Sequence, residues 1–227
     1  TINCVNPCGE EGLPAWGVCN LASLNLSAFV KDWDIDKAGW FDFKALEEHA
    51  RIAVRFQDNV IDADQYVYPE IRKMQKQGER RIGLGTLGLA DALIKMQLRY
   101  GSEQALPGVD KIYQTIRDAA YDESVNIARE KGAFPKINIK KHLEGYFIKQ
   151  LPQSIRKKMA RYGVRNSVLL QAAPTGTTSL LSGASSGIEP VYEFEYYHTG
   201  RLGLQLVYHS IYGEWKKLHP NEEKPRY

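Results

Sequence analysis

The sequence contains no long apolar run and no targeting segment. No hydrophobic stretch approaches the roughly 20 residues that a membrane-spanning helix requires, and no signal-peptide pattern opens the chain. These absences argue against a membrane protein and against a secreted protein. We therefore expect a cytoplasmic protein that has no membrane partner.

Cysteine is also scarce. The chain has three cysteines, Cys4, Cys8 and Cys19, and all of them lie within the first nineteen residues. An odd number clustered in this way does not form the disulfide framework of a secreted domain. No Cys-x-x-Cys pair occurs and the five histidines show no ligand spacing, so we expect no metal site. Redox or nucleophilic chemistry remains, as does the alternative of inert buried thiols.

Excess charge of one sign is missing as well. The 30 Lys and Arg are interleaved with 27 Asp and Glu, and the net charge of +3 does not indicate a nucleic-acid partner. The chain of 227 residues, 43% hydrophobic and 25% charged, is long enough for one large globular domain or two small ones. It has no initiator Met, and its densest functional segment starts within ten residues of Thr1. We therefore expect a piece of a longer protein.

Helical and extended patterns alternate along the chain, which favours an α/β fold. Apolar residues at helical spacing predict a helix from Asp42 to about Ala63 and another over Pro107–Lys131. Further expectations are a strand or helix start over Cys19–Val30, a basic loop over Lys73–Arg81, a helix over Ala90–Met96, short basic helices over 138–163, and a strand over Ser167–Ala173. The aromatic end, Tyr192–Tyr227, is ambiguous between strand and helix.

The segment Asn6-Pro7-Cys8-Gly9-Glu10 places an amide, a thiol and a carboxylate at every second position. On an extended backbone these three side chains point to the same side and could converge on one ligand. They would offer a hydrogen-bonding group, a sulfur nucleophile or radical, and a general base. A polar loop with a buried thiol is the alternative interpretation.

Three segments, in the same order, resemble ribonucleotide reductases of the adenosylcobalamin-dependent class. They are Asn6–Glu10 followed by Cys19–Leu26, which is similar to the active-site loop; Arg81–Asp91, which is similar to a helix entry; and Ala173–Ser179 with Ser185–Pro190, which is similar to the phosphate loop. The resemblance implies a ten-stranded α/β barrel with the Cys8 loop threaded through its centre. Residues 1–227 would form the C-terminal part of the barrel, with the active-site loop over 1–26, the phosphate loop over 173–190, and the N-terminal half absent.

The resemblance also implies residue roles in the reduction of ribonucleotides to 2′-deoxyribonucleotides. Cys8 would form a thiyl radical and take the 3′ hydrogen of the ribose, Glu10 would accept the 3′-hydroxyl proton, and Asn6 would hold the sugar. Cys19 would be one member of the reducing cysteine pair, whose partner lies outside this chain. Cys4 receives no role. Adenosylcobalamin is the implied cofactor, and a thioredoxin-like protein is the implied reductant.

Substrate binding is expected at both predicted loops, through Asn6, Pro7, Cys8, Gly9, Glu10, Pro174, Thr175, Gly176, Thr177 and Thr178. At the second loop, backbone N–H groups and Thr hydroxyls would bind phosphate without a Lys or Arg. A strand-to-helix turn with Ser/Thr caps is the alternative. The sequence leaves diphosphate and triphosphate substrates equally open.

The segment Gly83–Gly88 matches the dinucleotide fingerprint Gly-x-Gly-x-x-Gly. A charged stretch precedes it and no acidic strand end follows, so we expect close packing of a helix start rather than a dinucleotide site.

Two alternatives to the cobalamin-dependent enzyme stay open. The first is the large subunit of a metal-dependent reductase, which receives its radical from a separate iron or manganese protein. The second is a split or partial subunit that is inactive without a complementary chain.

Overall fold

A computed structural model describes residues 2–200 and 203–222. Its elements, in chain order, are β1 (Cys4–Val5), β2 (Gly12–Leu13), β3 (Asn20–Asn25), a 3₁₀ helix (Leu26–Phe29), β4 (Val30–Lys31), β5 (Trp40–Phe41), α1 (Phe43–Ala63), α2 (Pro69–Met74), a π-helical turn (Gln75–Glu79), β6 (Ile82–Leu87), α3 (Leu89–Lys95), α4 (Leu106–Lys131), α5 (Ile139–Glu144), α6 (Tyr146–Lys149), α7 (Gln153–Tyr162), α8 (Gly176–Ser182), β7 (Glu195–Gly200), β8 (Gly203–Tyr208) and α9 (Ser210–Leu218).

The chain folds into two compact units, and each is described by itself. Of the described residues, the first unit contains 2–24, 43–85 and 110–173, and the second contains 25–42, 86–109, 174–200 and 203–222. The first unit includes the predicted active-site loop up to residue 24. The second includes nearly all of the predicted phosphate loop.

The core of the first unit lies between the two long helices and β6. Helix α1 buries Leu46, Ala50, Val54 and Ile61 at helical spacing. Helix α4 buries a similar stripe that includes Ile112, Ile116, Ala120 and Ile127. Ion pairs of Arg51 with Asp122 and of Arg55 with Glu123 join the two helices. The predicted helices over 42–63 and 107–131 are confirmed to within one residue at each end.

A buried network around Asp58 of α1 anchors the chain where it enters β6. The Asp58 carboxylate is fully buried and accepts hydrogen bonds from Arg80, Arg165 and Asn166 at 2.8–3.3 Å. Arg80 also donates to Asp62 at 2.8 Å. Because these charges are removed from water, each depends on its partners in the network. Through Arg80, the network ties helix α1 to the start of β6. Through Arg165 and Asn166, it also ties α1 to the segment that lies along β6.

The predicted basic loop in the first unit is wrong. The expected basic loop over Lys73–Arg81 is helical up to Glu79, because Pro69 starts helix α2 and the Gln75 side chain pairs with the Arg81 backbone. Its first basic residue, Lys73, is exposed on helix α2 rather than carried by a loop.

The expected strand over Ser167–Ala173 forms only one parallel bridge, between Leu84 and Leu170. The amides of Ile82 and Leu84 donate to the adjacent carbonyls of Val168 and Leu169. The two donors are two residues apart in β6, but their acceptors are only one residue apart in the partner segment. This mismatch is a bulge, and it interrupts the regular pattern of hydrogen bonds between strands. The segment lies along β6 without being a strand.

The glycine-rich segment is a strand and not a helix start. Residues Ile82–Leu87 form β6, which is buried along its whole length and pairs with β3. A Cβ on Gly83 would lie 2.7 Å from Leu21 Cδ2 and 2.9 Å from Cys19 Sγ. Gly83 is therefore required by the close approach of the two strands. The helix begins only at Leu89, so the interpretation of Gly83 and Gly85 as a helix entry was wrong.

The second unit contains two antiparallel strand pairs and an aromatic cluster. Strand β4 pairs with β5, and β7 pairs with β8 over the register Glu195–Tyr208 to Gly200–Gly203. Helix α9 buries Ile211, Tyr212 and Trp215 against Ile35. The ambiguous aromatic end is thus a strand pair followed by a helix, and residues 201–202 and 223–227 of that prediction lie outside the described residues.

Candidate active site

Within the predicted active-site loop, residues Asn6–Glu10 lie in a tight turn between β1 and β2. The two strands pair Cys4 with Leu13 and Val5 with Gly12. The amide of Gly9 donates to the Asn6 carbonyl at 2.9 Å, and Gly9 has a φ of 79°. The chain therefore reverses between Asn6 and Glu11. Our expectation of an extended backbone here was wrong, because Gly9 adopts the left-handed conformation that a turn needs.

Asn6 stabilises this turn with its side chain. Its Oδ1 accepts a hydrogen bond from the Glu11 amide at 3.1 Å, and its own amide donates to the Glu11 carbonyl at 3.3 Å. The side-chain oxygen of Asn6 is thus engaged within the loop. Its Nδ2 group is the part of the side chain left to donate to a ligand.

The remaining residues of the turn differ in exposure. Cys8 is exposed between exposed Pro7 and Gly9, whereas Glu10 is half-buried. The Oε2 atom of Glu10 is buried and has no hydrogen-bond partner among the described residues. A buried carboxylate oxygen without a donor is costly unless a ligand or another segment satisfies it. The turn therefore presents an accessible thiol beside an unsatisfied acceptor.

Cys19 lies in a different environment, immediately before β3. Its side chain is half-buried, and its Sγ donates to the Asn20 carbonyl at 3.7 Å. Burial raises the pKa of the Cys19 thiol strongly, and the negative charge of Glu11 raises it further. Cys19 also lines a cavity of about 390 Å³ that includes Asn20, Ile61, Tyr66 and Ile71.

Two charged residues that sequence reasoning missed accompany Cys19. The Glu11 side chain is 2% exposed, and its Oε2 pairs with Arg81 Nη1 at 2.9 Å. Arg81 also donates to the Gly12 carbonyl and to Glu79. Burial raises the pKa of Glu11, against the opposing effect of Arg81. The adjacent acidic pair Glu10–Glu11 was a visible signal, but no local pattern linked Glu11 to an arginine 70 residues away.

The predicted phosphate loop is a short turn into helix α8. Thr175 has a φ of 54°, which is unusual for a β-branched residue, and its Oγ1 accepts from the Gly187 amide at 2.7 Å. The hydroxyl of Ser186 donates to the Pro174 carbonyl. The helix begins at Gly176, so the predicted loop residues Gly176, Thr177 and Thr178 form its first turn. In this turn, Thr178 Oγ1 donates to the Thr175 carbonyl at 3.2 Å.

Buried Asp91 and half-buried His209, a pair also missed from the sequence, hold the segment that follows helix α8. Asp91 accepts from the Ser185 amide at 2.7 Å through Oδ2, and its Oδ1 lies 2.7 Å from His209 Nε2. The Gly88 amide donates to the Ser185 carbonyl at 2.8 Å. Because these partners are more than 90 residues apart in sequence, spacing gave no signal for them.

Two general features of the described residues bear on function. No group of three or more His, Cys, Asp or Glu in residues 2–200 and 203–222 could hold a metal ion. No helix in this part of the chain is long and apolar enough to cross a membrane. The predicted roles of the site residues stay predictions, since the active-site turn and the Thr175 turn belong to different units.

Comparison with known proteins identifies relatives that match most of the chain. The vitamin B12-dependent ribonucleoside-diphosphate reductase of Mycobacterium tuberculosis is 37% identical over 84% of this chain and 24% of its own length. The protein of the same name from Thermoplasma acidophilum is 36% identical over 91% of this chain and 24% of its own length. The ribonucleoside-diphosphate reductase subunit alpha of Treponema pallidum is 34% identical over 83% of this chain and 22% of its own length.

This chain therefore spans about a quarter of the length of the curated relatives that it matches. The family described as ribonucleotide reductase, barrel domain, matches residues 1–224. That match confirms the predicted fold class, which is an α/β barrel of the ribonucleotide reductase type. The chain belongs to the ribonucleotide reductase barrel domain family.

Proposed function

We propose that this chain carries the radical-bearing loop of an adenosylcobalamin-dependent ribonucleotide reductase. The intact enzyme would convert ribonucleoside diphosphates to 2′-deoxyribonucleotides for DNA synthesis. The observation that carries the proposal is the exposed Cys8 thiol in the β1–β2 turn, flanked by Asn6 and Glu10. The family match and the names of the relatives support the reaction, the cofactor and the diphosphate substrate.

Cys8 fits the chemistry of the cofactor because its sulfur is accessible at the turn. When bound, adenosylcobalamin supplies the one-electron step that converts a thiol to a thiyl radical. Cys8 takes the hydrogen atom from the ribose C3′ and becomes a thiol, and it returns that hydrogen to C3′ once C2′ has been reduced.

Glu10 and Asn6 act on the same sugar. Glu10 accepts the 3′-hydroxyl proton, and its Oε2 is suited to this because it is buried without a donor in the described chain. Asn6 uses Oδ1 to brace the turn and Nδ2 to donate to the sugar. Proton removal from the 3′ oxygen assists departure of the 2′ hydroxyl, which takes a proton and leaves as water.

Cys19 supplies half of the reducing equivalents. Cys19 and a partner cysteine outside this chain together lose two hydrogens and form a disulfide. One hydrogen ends on C2′ of the sugar and the other in the water that leaves, so atoms and electrons balance. A thioredoxin-like dithiol then reduces the disulfide. Exposed Cys4 takes no part in this scheme.

The Thr175 turn would bind the phosphate groups of the substrate. The first amides of any helix lack intrahelical partners, and here they lie beside the hydroxyl-bearing residues Thr177 and Thr178. The left-handed Thr175 is held by the Gly187 amide, which fixes the entry to this helix. Strain of this kind is found at ligand sites where the surroundings enforce it.

Two observations bear on the alternatives. The relatives at 36–37% identity carry the vitamin B12-dependent name, which supports the cobalamin class over a large subunit served by a metal protein. Large apolar side chains are exposed on the described surface, among them Ile52, Phe56, Val67 and Leu181 at 64–91%. Such surface favours further segments or a complementary chain that cover it. We therefore expect no turnover from this chain alone.

The test is deoxynucleotide formation by the complete enzyme with adenosylcobalamin, an external dithiol and no metal-containing subunit. We expect Cys8→Ser to abolish product, Cys19→Ser to permit at most one turnover, and the matched control Cys4→Ser to keep activity. Full activity in Cys8→Ser would refute the proposal. Activity that requires a metal protein instead of cobalamin would place the chain in the other class.

A further inference from the structure

Asp91 is a buried carboxylate on helix α3 that the proposed reaction does not use. Its side chain is 2% exposed, and each of its two oxygens makes one short hydrogen bond. Oδ2 accepts from the Ser185 amide at 2.7 Å, and Oδ1 lies 2.7 Å from His209 Nε2, which is the donor because a carboxylate can only accept. A carboxylate removed from water is costly unless donors satisfy it, so Asp91 depends on both contacts.

Ser185 is held at each of its three polar atoms. Its amide donates to the Asp91 side chain, its carbonyl accepts from the Gly88 amide at 2.8 Å, and its hydroxyl accepts from the Asp91 amide at 3.3 Å. Ser185 is buried, so water does not readily replace these partners. The beginning of helix α3 therefore fixes both the position and the orientation of this residue.

The two residues that follow Ser185 hold the turn that is proposed to bind phosphate. The Ser186 hydroxyl donates to the carbonyl of the residue before Thr175, and the Gly187 amide donates to Thr175 Oγ1 at 2.7 Å. Thr175 has a φ of 54°, and a β-branched residue keeps this left-handed conformation only where its surroundings enforce it. Hydrogen bonds thus connect Asp91, through this short segment, to the strained residue at the turn.

His209 fixes the direction of the Asp91 carboxylate. The backbone amide of His209 donates to the Phe194 carbonyl at 2.8 Å, and the two rings meet edge to face with centroids 5.9 Å apart. Nδ1 of the His209 ring is buried and has no hydrogen-bond partner among the described residues. Within this part of the chain, the polar contact of the ring is therefore the one that Nε2 makes with Asp91.

We propose that Asp91 is a positioning residue for phosphate binding, and that His209 orients its carboxylate. Asp91 holds Ser185, and the segment Ser185–Gly187 keeps Thr175 in the conformation that forms the phosphate-binding turn. This inference rests on the proposed function, since it requires the phosphate groups of the substrate to bind at the Thr175 turn. Asp91 acts through Thr175 and takes no part in the radical chemistry.

The test is Asp91→Asn in the complete enzyme, with adenosylcobalamin, an external dithiol and a ribonucleoside diphosphate. Asparagine has one acceptor oxygen in place of two, so it cannot accept from both Ser185 and His209. The left-handed Thr175 then loses its support, which makes the binding-competent turn about tenfold less populated. We expect KM for the diphosphate to rise about tenfold. At saturating substrate, kcat should stay within about twofold of the wild type, because the phosphate groups do not react.

Trp215→Phe is the matched control for a general loss of stability. Trp215 is buried in the same unit, but its ring stacks on Tyr212 and His219 rather than on the residues that hold the turn. This variant should melt at a lower temperature and keep the wild-type KM. An equal rise of KM in Trp215→Phe would mean that Asp91 has only a structural role, and the inference would be overturned.

His209→Phe tests the same chain of contacts if Asp91→Asn does not fold. Phenylalanine keeps a ring against Phe194 and removes the Nε2 donor, so KM should rise, but by less than in Asp91→Asn. An unchanged KM in His209→Phe would overturn the orienting role of His209.

A double-mutant cycle with Thr175→Ala tests the route by which Asp91 acts. Thr175→Ala removes the Oγ1 acceptor of the Gly187 amide and so breaks the last link to the turn. In this background Asp91→Asn should raise KM by less than about twofold, because coupled residues do not act additively. A second tenfold rise would show that Asp91 does not act through Thr175.

Hydrogen exchange separates failure of this inference from failure of the proposed function. If the diphosphate does not slow exchange of the amides of residues 176–178 in the wild type, phosphate does not bind at this turn and the proposed phosphate site is wrong. If the diphosphate protects these amides but Asp91→Asn keeps the wild-type KM, only the role of Asp91 is overturned.

Discussion

Replacement of Gly83 by alanine tests the packing that places Cys19. A Cβ at this position would lie 2.7 Å from Leu21 Cδ2, 2.8 Å from Gln171 Cγ and 2.9 Å from Cys19 Sγ. Real Cβ atoms do not approach neighbours so closely, so at least one of these side chains must move. Overpacking of a filled core costs about 1–3 kcal/mol. For a domain of this size that corresponds to a melting temperature lower by about 2–12 °C.

Gly108→Ala is the matched control. Gly108 lies in helix α4, and a Cβ there would meet nothing within 4 Å. Alanine is favoured over glycine in a helix by about 0.5–1 kcal/mol, so this variant should melt slightly above the wild type. Both variants are measured by thermal unfolding followed by circular dichroism. A Gly83→Ala protein that melts at or above the wild-type temperature would refute the packing argument.

A double-mutant cycle then locates the clash. Gln171→Ala removes one of the three close contacts of the new methyl group. The cost of Gly83→Ala should therefore be smaller in the Gln171→Ala background, with a coupling of about 0.5–3 kcal/mol, as for residues in contact. Additive costs would mean that β6 and the 167–171 segment do not pack as described.

Two further predictions concern the buried network and the active-site turn. Asp58→Asn removes the fully buried carboxylate that Arg80 and Arg165 share and should cost about 3–5 kcal/mol in denaturant unfolding, whereas exposed Glu47→Gln should cost less than about 1 kcal/mol. Equal costs would contradict the structural role of Asp58. Gly9→Ala should strain the left-handed residue by about 1–2 kcal/mol and lower reductase activity more than Gly9→Asn does, since asparagine tolerates this conformation. An alanine variant at least as active as the asparagine variant would count against the turn geometry.

The long helices could be predicted from sequence because one apolar stripe continues over five or more turns in each. Helices α1 and α4 bury the residues that periodicity selects. Shorter signals failed where tertiary contacts decide the outcome. From sequence, the glycines of β6 fit a helix entry as well as a strand. The folded chain shows that Leu21, Cys19 and Gln171 pack against them and leave no space for a Cβ. The run over 167–173 has strand composition but lacks a regular partner register.

The candidate site was predictable to a similar degree. The resemblance selected Asn6, Cys8, Glu10 and Cys19, yet alternation of side chains gave the wrong backbone for the first three, because a single positive φ at Gly9 turns the chain. The pairing of Glu11 with Arg81 joins residues 70 positions apart, and only the folded chain brings them together. Local pattern carries no information about such contacts.

The two cysteines of the proposed reaction differ in exposure: Cys8 is exposed and Cys19 is half-buried. This difference fits the different roles that the reaction would require of them. A thiol that exchanges a hydrogen atom with cofactor and sugar must be reachable, and Cys8 is exposed on a turn. A thiol that stores reducing equivalents must stay protonated until it meets its partner, and burial beside Glu11 raises the pKa of Cys19. Gly83 and Arg81 provide this environment, one by leaving space for the sulfur and the other by holding the acid. In the proposed reaction, the division of roles between the two sulfurs would therefore depend on residues that take no part in the chemistry themselves.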